Sequence, residues 1–181
     1  MPDYNYLTAD IFTVSEFFSP DECERHIALA EGQGFGDAPI TTQFGPVIKK
    51  RIRNNERVIV DDLALAQMMW QRARDYVPGV LAGFRAVGIN ERFRYYRYDP
   101  GQAFRWHRDD YFQRDSGERS RLTFMVYLND DFDGGETRFP EVIVKPQRGM
   151  GLFFVHQLPH EGAEVKSGRK YVLRTDVMYS G

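Results

Sequence analysis

The hydrophobic and polar positions change their rhythm near residue 90. Before it, "DIFTVSEFF" alternates as a strand would, and Ser19-Pro20-Asp21-Glu22 reads as a helix start. Ser19 supplies the N-cap oxygen, Pro20 suits the first turn, and Glu22 stands three residues after the cap. This helix is expected to run to about Glu31 and stop at Gly32. A connection rich in Gly and Pro and then basic follows, "GQGFGDAPITTQFGPVIKKRIRNNER". The stretch "DDLALAQMMWQRARDYV" predicts a second amphipathic helix, closed by Pro78-Gly79. From Asn90 onward, short runs rich in aromatic and β-branched residues recur: "ERFRYYRY", "FRWHRD", "RLTFMVYLN", "GETRF", "VIVKP", "GLFFVH" and "RKYVLRTDVMY". Turn-forming clusters such as "DPGQ", "DDFDGG" and "KSG" separate them. Short strands at close spacing predict a β-sandwich or barrel. The expected class is therefore α+β, mainly β, with no internal repeat. Residues 1–181 form one domain in this reading: 1–89 as helical support and a lid region, 90–181 as the β core.

Length and charge narrow the picture. A chain of 181 residues is large enough to bury roughly 70% of its unfolded surface. The net charge of −2 argues against a nucleic-acid or anionic-membrane surface. Cys23 is the single cysteine, so no internal disulfide forms, and it reads as a small packed thiol. "MPDYNYLTADIF" lacks the basic and apolar regions of a signal peptide, and no run of about 18 apolar residues suggests a span. The expectation is a cytoplasmic protein with no membrane partner.

The candidate chemistry lies in "FRWHRDDY". On a strand, His107 and Asp109 would share a face, while Asp110 would point the other way. Such a pair is either a surface ion pair or two ligands of a metal. A third ligand would come from a distant strand. Three further histidines exist. His26, among Glu24 and Arg25, reads as an exposed helix residue; His156 and His160 both lie in "FFVHQLPHEG". Ten residues beyond His160 stands Lys170, and alternation puts Val172, Arg174 and Asp176 on its face. Charges do not line the inside of a sheet unless something pairs with them. A small dianion would do so.

From about Arg92 to Tyr179 the chain resembles the iron(II)- and 2-oxoglutarate-dependent oxygenases, specifically the prolyl-4-hydroxylase-like branch. "YRYDPGQAFRWHRD" is similar to that family's strand ending in HxD, "RLTFMVYLNDDFDGGETRFP" to its following hairpin, and "PQRGMGLFFVHQLPHEG" to the strand leading to its distal histidine. The resemblance implies a double-stranded β-helix (jelly roll, cupin-like) core with the N-terminal helices beside it. It implies His107, Asp109 and His160 as ligands of Fe(II), with His156 a packed neighbour, and Lys170 as the group holding the 5-carboxylate of 2-oxoglutarate. Two imidazoles and one carboxylate leave metal positions open for a co-substrate and O₂, the arrangement suited to non-haem Fe(II). Tyr98 and Tyr127 are candidate phenol donors to the co-substrate, or plain core tyrosines. Ascorbate is a candidate reductant. Family members that halogenate lack the carboxylate, so Asp109 implies hydroxylation, with decarboxylation of 2-oxoglutarate to succinate and CO₂.

The remaining assignments stay open at this level. Arg174 could touch the 1-carboxylate of 2-oxoglutarate, pair with Asp176, or bind a substrate carboxylate. Glu136 and Arg138 could face substrate or solvent. The run "KKRIRNNER" reads as a solvated loop or as part of a substrate lid spanning Gly36 to Ile52, which makes Arg51, Arg53, Asn54, Asn55 and Arg57 candidate substrate contacts. The substrate class is a peptidyl prolyl residue, a free amino acid or another small metabolite. The alternatives are an oxidative demethylase of nucleic acid, a metal-binding module without turnover, and a zinc hydrolase. Oligomeric state is not marked in the sequence.

Overall fold

The computed structural model describes residues 3–181. Its dominant layer is a ten-stranded sheet. Along the main path the neighbours are Tyr4–Thr8, Ile11–Val14, Gly151–Val155, Arg119–Tyr127, Lys170–Ser180, Arg92–Tyr98, Glu56–Asp61 and Gly36–Asp37. Phe84–Ile89 pairs with the far end of Lys170–Ser180. A smaller sheet orders Phe104–His107, His160–Gly162, Thr137–Arg138 and Ile143–Val144. Every pairing in both sheets is antiparallel.

The large sheet is buried on both faces, and alternation sorts its side chains between two cores. Tyr95, Phe124, Phe153, Leu173 and Val177 face one way and pack with Cys23, Ala30, Ala66, Met69 and Ala73 of the helices. Tyr96, Tyr98, Tyr127, Leu152, Phe154 and Val172 face the other way and pack with Phe139 and Val144, carried on or beside the small sheet. Double burial explains why "RLTFMVYLN" and "GLFFV" read as nearly continuous apolar runs. Two facing antiparallel sheets with helices on the outer side form the expected jelly-roll, double-stranded β-helix architecture.

The first 89 residues supply more than helical support. Ile11–Val14 extends one side of the core sheet against Gly151–Val155, and Glu56–Asp61 extends the other against Arg92–Tyr98. These strands cover backbone groups that the core alone would leave as open edges. Only part of "DIFTVSEFF" is strand, because the chain turns at Ser15 and Glu16 toward the first helix.

That helix spans Pro20–Gln33 and carries the expected capping box. The Ser19 hydroxyl accepts from the Glu22 N–H at 3.2 Å, and the Glu22 carboxylate accepts from the Ser19 N–H at 2.8 Å. It passes through Gly32 and ends at Gly34, whose φ of +79° is the left-handed conformation that Gly32 does not adopt. His26 is a correction. It is half-buried, stacked on Phe18 with ring centroids 4.8 Å apart, and its Nδ1 lies 2.8 Å from the Tyr95 hydroxyl. The second helix, Leu63–Ala73, is capped by the Asp62 carboxylate on the Leu65 N–H and stops short of "RDYV", which closes as turns on the Ala73 carbonyl. The Gly/Pro-rich connection is also more ordered than its composition suggests. Ile40–Thr42 and Gly45–Val47 form a hairpin, and Gly36–Asp37 joins the large sheet.

Gly149 ties the turn before Gly151–Val155 to the start of the first helix. Its φ is +81°, and a β-carbon there would run into the Phe18 carbonyl oxygen. Gly149→Ala should therefore lower stability by about 2–3 kcal/mol. Gly79→Ala, where a β-carbon meets nothing within 4 Å, should stay within about 0.5 kcal/mol of the parent. Urea midpoints followed by circular dichroism give both values, and equal midpoints for the two variants would contradict the close approach.

Candidate metal centre

The small sheet brings two histidines face to face. In the pairing of Phe104–His107 with His160–Gly162, His107 stands directly opposite His160, and the ring centroids are 4.2 Å apart. Each ring is oriented by its own backbone. His107 Nδ1–H donates to the Arg105 carbonyl at 2.8 Å, and His160 Nδ1–H donates to the Leu158 carbonyl at 3.0 Å. Both Nε2 atoms are thus left as lone-pair donors aimed at one point. Each lies 3.7 Å from an oxygen of Asp109. The three ligand atoms sit within 4.8 Å of one another.

Strand alternation does not account for Asp109. The strand ends at His107. Asp109 lies past its end, where its N–H donates to the His156 carbonyl at 3.1 Å. Asp109 enters the centre, and the exposed Asp110 contributes to the wall of the open cleft beside it.

The protonation states suit a cation. Burial, followed by the neighbouring His160, pushes His107 down to about 3. Burial lowers His160 as well. Burial would raise Asp109, but the Arg174 guanidinium and the two imidazoles hold it well below the carboxylate range. Two neutral imidazoles and one carboxylate are the donor set that non-haem Fe(II) takes, so the residues present fit such an ion.

A chain of hydrogen bonds that the sequence did not reveal fixes the carboxylate. The Phe112 N–H donates to Ser120 Oγ at 2.8 Å, and Ser120 Oγ lies 2.8 Å from His156 Nε2. His156 Nδ1 is 2.9 Å from Thr123 Oγ1, whose hydroxyl donates to Asp109 Oδ2 at 2.5 Å. With the Thr123 proton committed to the carboxylate, His156 must donate from Nδ1 and accept at Nε2. His156 is therefore a buried orienting group, as its packed reading implied. Arg174 Nη2 approaches Asp109 Oδ2 at 3.2 Å and Asp176 Oδ1 at 3.3 Å, which favours the Asp176 pairing among its three sequence readings and adds Asp109 to it.

Two cavities meet at the triad, sharing Tyr96, Phe104, His107, Asp109 and Arg174 in their walls. The narrow one, about 30 Å³, runs inward past His160 to Tyr98, Thr137 and Lys170. Lys170 is 2% exposed; its Nζ donates to the Gly135 carbonyl at 2.5 Å and lies over the rings of Tyr98 and Tyr127 at 5.1 and 5.5 Å. Burial pushes its ammonium down to about 7, with Glu136 opposing. Tyr98 lines this cavity. The Tyr127 hydroxyl is already bonded to Thr137 Oγ1 at 2.6 Å, which supports its core-tyrosine reading. Glu136 and Arg138 pair with each other at 3.1 Å and line neither cavity.

The wider cavity, about 350 Å³, opens to the surface and takes in Ile40 of the hairpin and Ile52 beyond it, with Arg53 and Arg57 of the basic run. Arg51 is exposed and does not line it. Asn54 is occupied in tying Ala103 and Gly101, and Asn55 holds Arg53.

Outer partners of a ligand typically change metal affinity 10–100-fold. His107→Ala and His160→Ala should abolish Mn(II) binding measured by calorimetry on the purified protein. Thr123→Val, which keeps the shape and removes the hydroxyl, should weaken it by about tenfold or more. A Thr123→Val variant with unchanged affinity would remove the orienting role of the chain.

Residues 93–175 match the family model described as 2OG-Fe(II) oxygenase superfamily. Prolyl 4-hydroxylase 1 of Arabidopsis thaliana is 26% identical over 190 residues, covering 89% of this chain and 66% of that relative. The chain thus aligns with slightly less than two thirds of that relative's length. The viral collagen prolyl hydroxylase of Paramecium Bursaria Chlorella virus-1, solved as a 2OG complex, superposes with a TM-score of 0.67 at 22% identity, covering 94% of this chain and 96% of that one. A prolyl hydroxylase from Trichoplax adhaerens, in complex with a hypoxia inducible factor oxygen degradation domain peptide fragment, superposes at 0.70 and 17% identity, covering 94% and 84%. The matched segment begins on the strand before HxD and ends on the strand carrying Lys170 and Arg174, so the part of the chain that is similar to the 2OG-Fe(II) oxygenase superfamily encloses all three residues of the candidate centre.

Proposed function

We propose that this chain is an Fe(II)- and 2-oxoglutarate-dependent hydroxylase of the prolyl-hydroxylase type, acting on a prolyl group in a peptide or on a related small molecule. One observation carries the reading. A narrow cavity has a metal-ligand triad at its mouth and a buried ammonium, with no carboxylate partner among the described residues, in its wall. A short dicarboxylate suits both. The prolyl hydroxylases among the relatives support the choice of substrate class.

In this reading His107, Asp109 and His160 hold the metal. When bound, Fe(II) with 2-oxoglutarate and O₂ supplies the oxidising power that converts a C–H bond to C–OH, with succinate and CO₂ as co-products. The chain's own residues position and insulate. Lys170 takes the distal carboxylate, and the rings of Tyr98 and Tyr127 keep water from it. Gly135 makes the Lys170 site possible. Its φ is +67°, its carbonyl accepts from the ammonium, and a β-carbon there would lie 3.1 Å from Lys170 Cδ. Arg174 balances the charge of Asp109, and Thr123 sets the carboxylate's rotation. A scaffold without turnover gives no account of the buried Lys170.

The protein should release succinate from 2-oxoglutarate only with Fe(II) and O₂, and a prolyl acceptor should stimulate that release. Removing one partner of a buried charge pair costs about 3–5 kcal/mol, so Lys170→Ala should raise the 2-oxoglutarate requirement roughly a hundredfold or more. Lys170→Arg should recover part of the loss. A near-parental Lys170→Ala enzyme would overturn the assignment.

The pH dependence has a definite sign. The Lys170 ammonium is lowered to about 7, and the dianion favours its protonated form, so binding takes up a proton above that pH. Affinity for 2-oxoglutarate should be flat below about pH 7 and fall by up to tenfold per unit above it. Calorimetry on the Mn(II) protein from pH 6 to 9 reads the slope. Lys170→Arg should flatten it, because the guanidinium stays charged throughout.

A further inference from the structure

A second demand for an anion lies on the open side of the triad. Arg53 is 4% exposed, yet it has no carboxylate partner among the described residues. Its guanidinium carbon sits 4.5 Å from the Tyr96 ring centroid and 4.3 Å from that of Phe104. Its Nε donates to Asn55 Oδ1 at 2.8 Å, and Asn55 is oriented by its own donation to the Glu56 carbonyl at 2.9 Å. The fork is therefore fixed, while Nη2 is buried and bonded to nothing. Stacking on two rings returns less than burying an unpaired ion costs.

Arg57 deepens the imbalance. It lines the same cleft, half-buried, and no ion pair is formed by it among the described residues. Its neighbour Glu56 is committed to Arg97. Burial lowers the Arg57 guanidinium, and the like charges of Arg53, Arg94 and Arg174 lower it further. Burial would raise Tyr96, in the same wall, yet Arg174, Arg53 and Arg94 bring it down to about 8. Arg94 and Arg174 have their carboxylates in Asp176 and Asp109; Arg53 and Arg57 have none.

We infer that Arg53 and Arg57 form an oxyanion subsite at the mouth of the metal centre, and that the molecule hydroxylated carries a carboxylate there. The inference rests on the hydroxylase reading above. Phe104 links the subsite to the chemistry, because the ring that stacks on Arg53 also stacks on His107 with centroids 3.4 Å apart. Lys170 lies in the other cavity and serves the co-substrate, so the two anion sites do not compete. A cleft of about 350 Å³ suits a small acid or one residue of a peptide. A net charge of −2 gives no basic field for a polynucleotide, so a carboxylate is favoured over a phosphodiester.

The test uses acid and amide pairs of equal shape: N-acetyl-L-proline with N-acetyl-L-prolinamide, and benzoate with benzamide. Each is titrated calorimetrically into the protein loaded with Mn(II) and 2-oxoglutarate under nitrogen. At least one acid should bind tenfold or more tightly than its amide. Arg53→Gln and Arg57→Gln should each cut that ratio to about twofold, and Arg53→Lys should restore part of it. Arg57→Gln, on a half-buried residue, keeps the test open if Arg53→Gln fails to fold. Equal affinities within both pairs, no binding of either acid at 10 mM (~10 mM being a weak-ligand ceiling), or a preference that survives both Gln variants would overturn the inference. So would a thymidine dinucleotide that binds more tightly than the acids through Arg53. If benzoate shows the arginine-dependent preference while neither proline probe binds, the subsite stands and the prolyl reading falls.

Discussion

The site depends on where one carboxylate is held. Asp109 is 6% exposed, and groups from both sheets converge on it. His107 and His160 reach it from the small sheet; Thr123 and Arg174 reach it from adjacent strands of the large one. Its own backbone is tied to the carbonyl of His156, so the residue whose ring orients Thr123 also fixes, through its main chain, the backbone of the ligand. A buried charge gathered from so many directions stands only if every partner is in place. The jelly roll supplies that through paired strands whose register sets His107 against His160 and Thr123 against Asp176. The fold and the metal centre are therefore one constraint met at two scales.

Buried cations divide the cavity by function. Arg174 is neutralised by Asp109 and Asp176 and belongs to the framework. Lys170 and Arg53 are buried to a similar degree, 2% and 4% exposed, without a carboxylate partner among the described residues. Their immediate surroundings differ. Lys170 is wrapped by two tyrosines and a single carbonyl, a small compartment that suits one end of a short chain. Arg53 is a planar fork clamped between rings in a wider cleft, suited to recognising a planar acid. With a net charge of only −2 over the chain, this concentration of positive charge is local, and it acts through contact more than through long-range attraction.

The outer layer serves the same geometry. The helices press their small residues, Ala30, Ala66 and Ala73, close against the large sheet, and the aromatic stack of Phe12, Phe153 and Phe124 fills the space beneath the strands that carry Thr123 and Arg174. The hairpin at Ile40–Thr42 and Gly45–Val47 stands at the rim of the open cleft, with Phe44 at its tip fully in solvent.

Local chemistry carried the sequence a long way. The Ser19–Glu22 capping box was legible because both partners lie within one turn, and the core strands were legible as short runs rich in aromatic and β-branched residues, though not their burial on both faces. His107, Asp109, His160 and Lys170 could be named because HxD, the distal histidine and the basic residue ten positions on resemble, in that order, the pattern of a known oxygenase family. The pairing partners of those residues could not, because contact between distant segments depends on strand register and on where each strand ends. The strand stops at His107, so alternation accounts for neither aspartate, and only the fold turns Asp110 toward the cleft beside Asp109. Thr123, Ser120 and His156 are scattered along the sequence and meet only across paired strands. His26 carried the signature of an exposed helix residue because the sequence shows its charged neighbours and hides Phe18 and Tyr95. Arg53 sits in a basic run that reads as a solvated surface, and only the tertiary structure buries one guanidinium of that run between two rings and leaves it without a counter-charge.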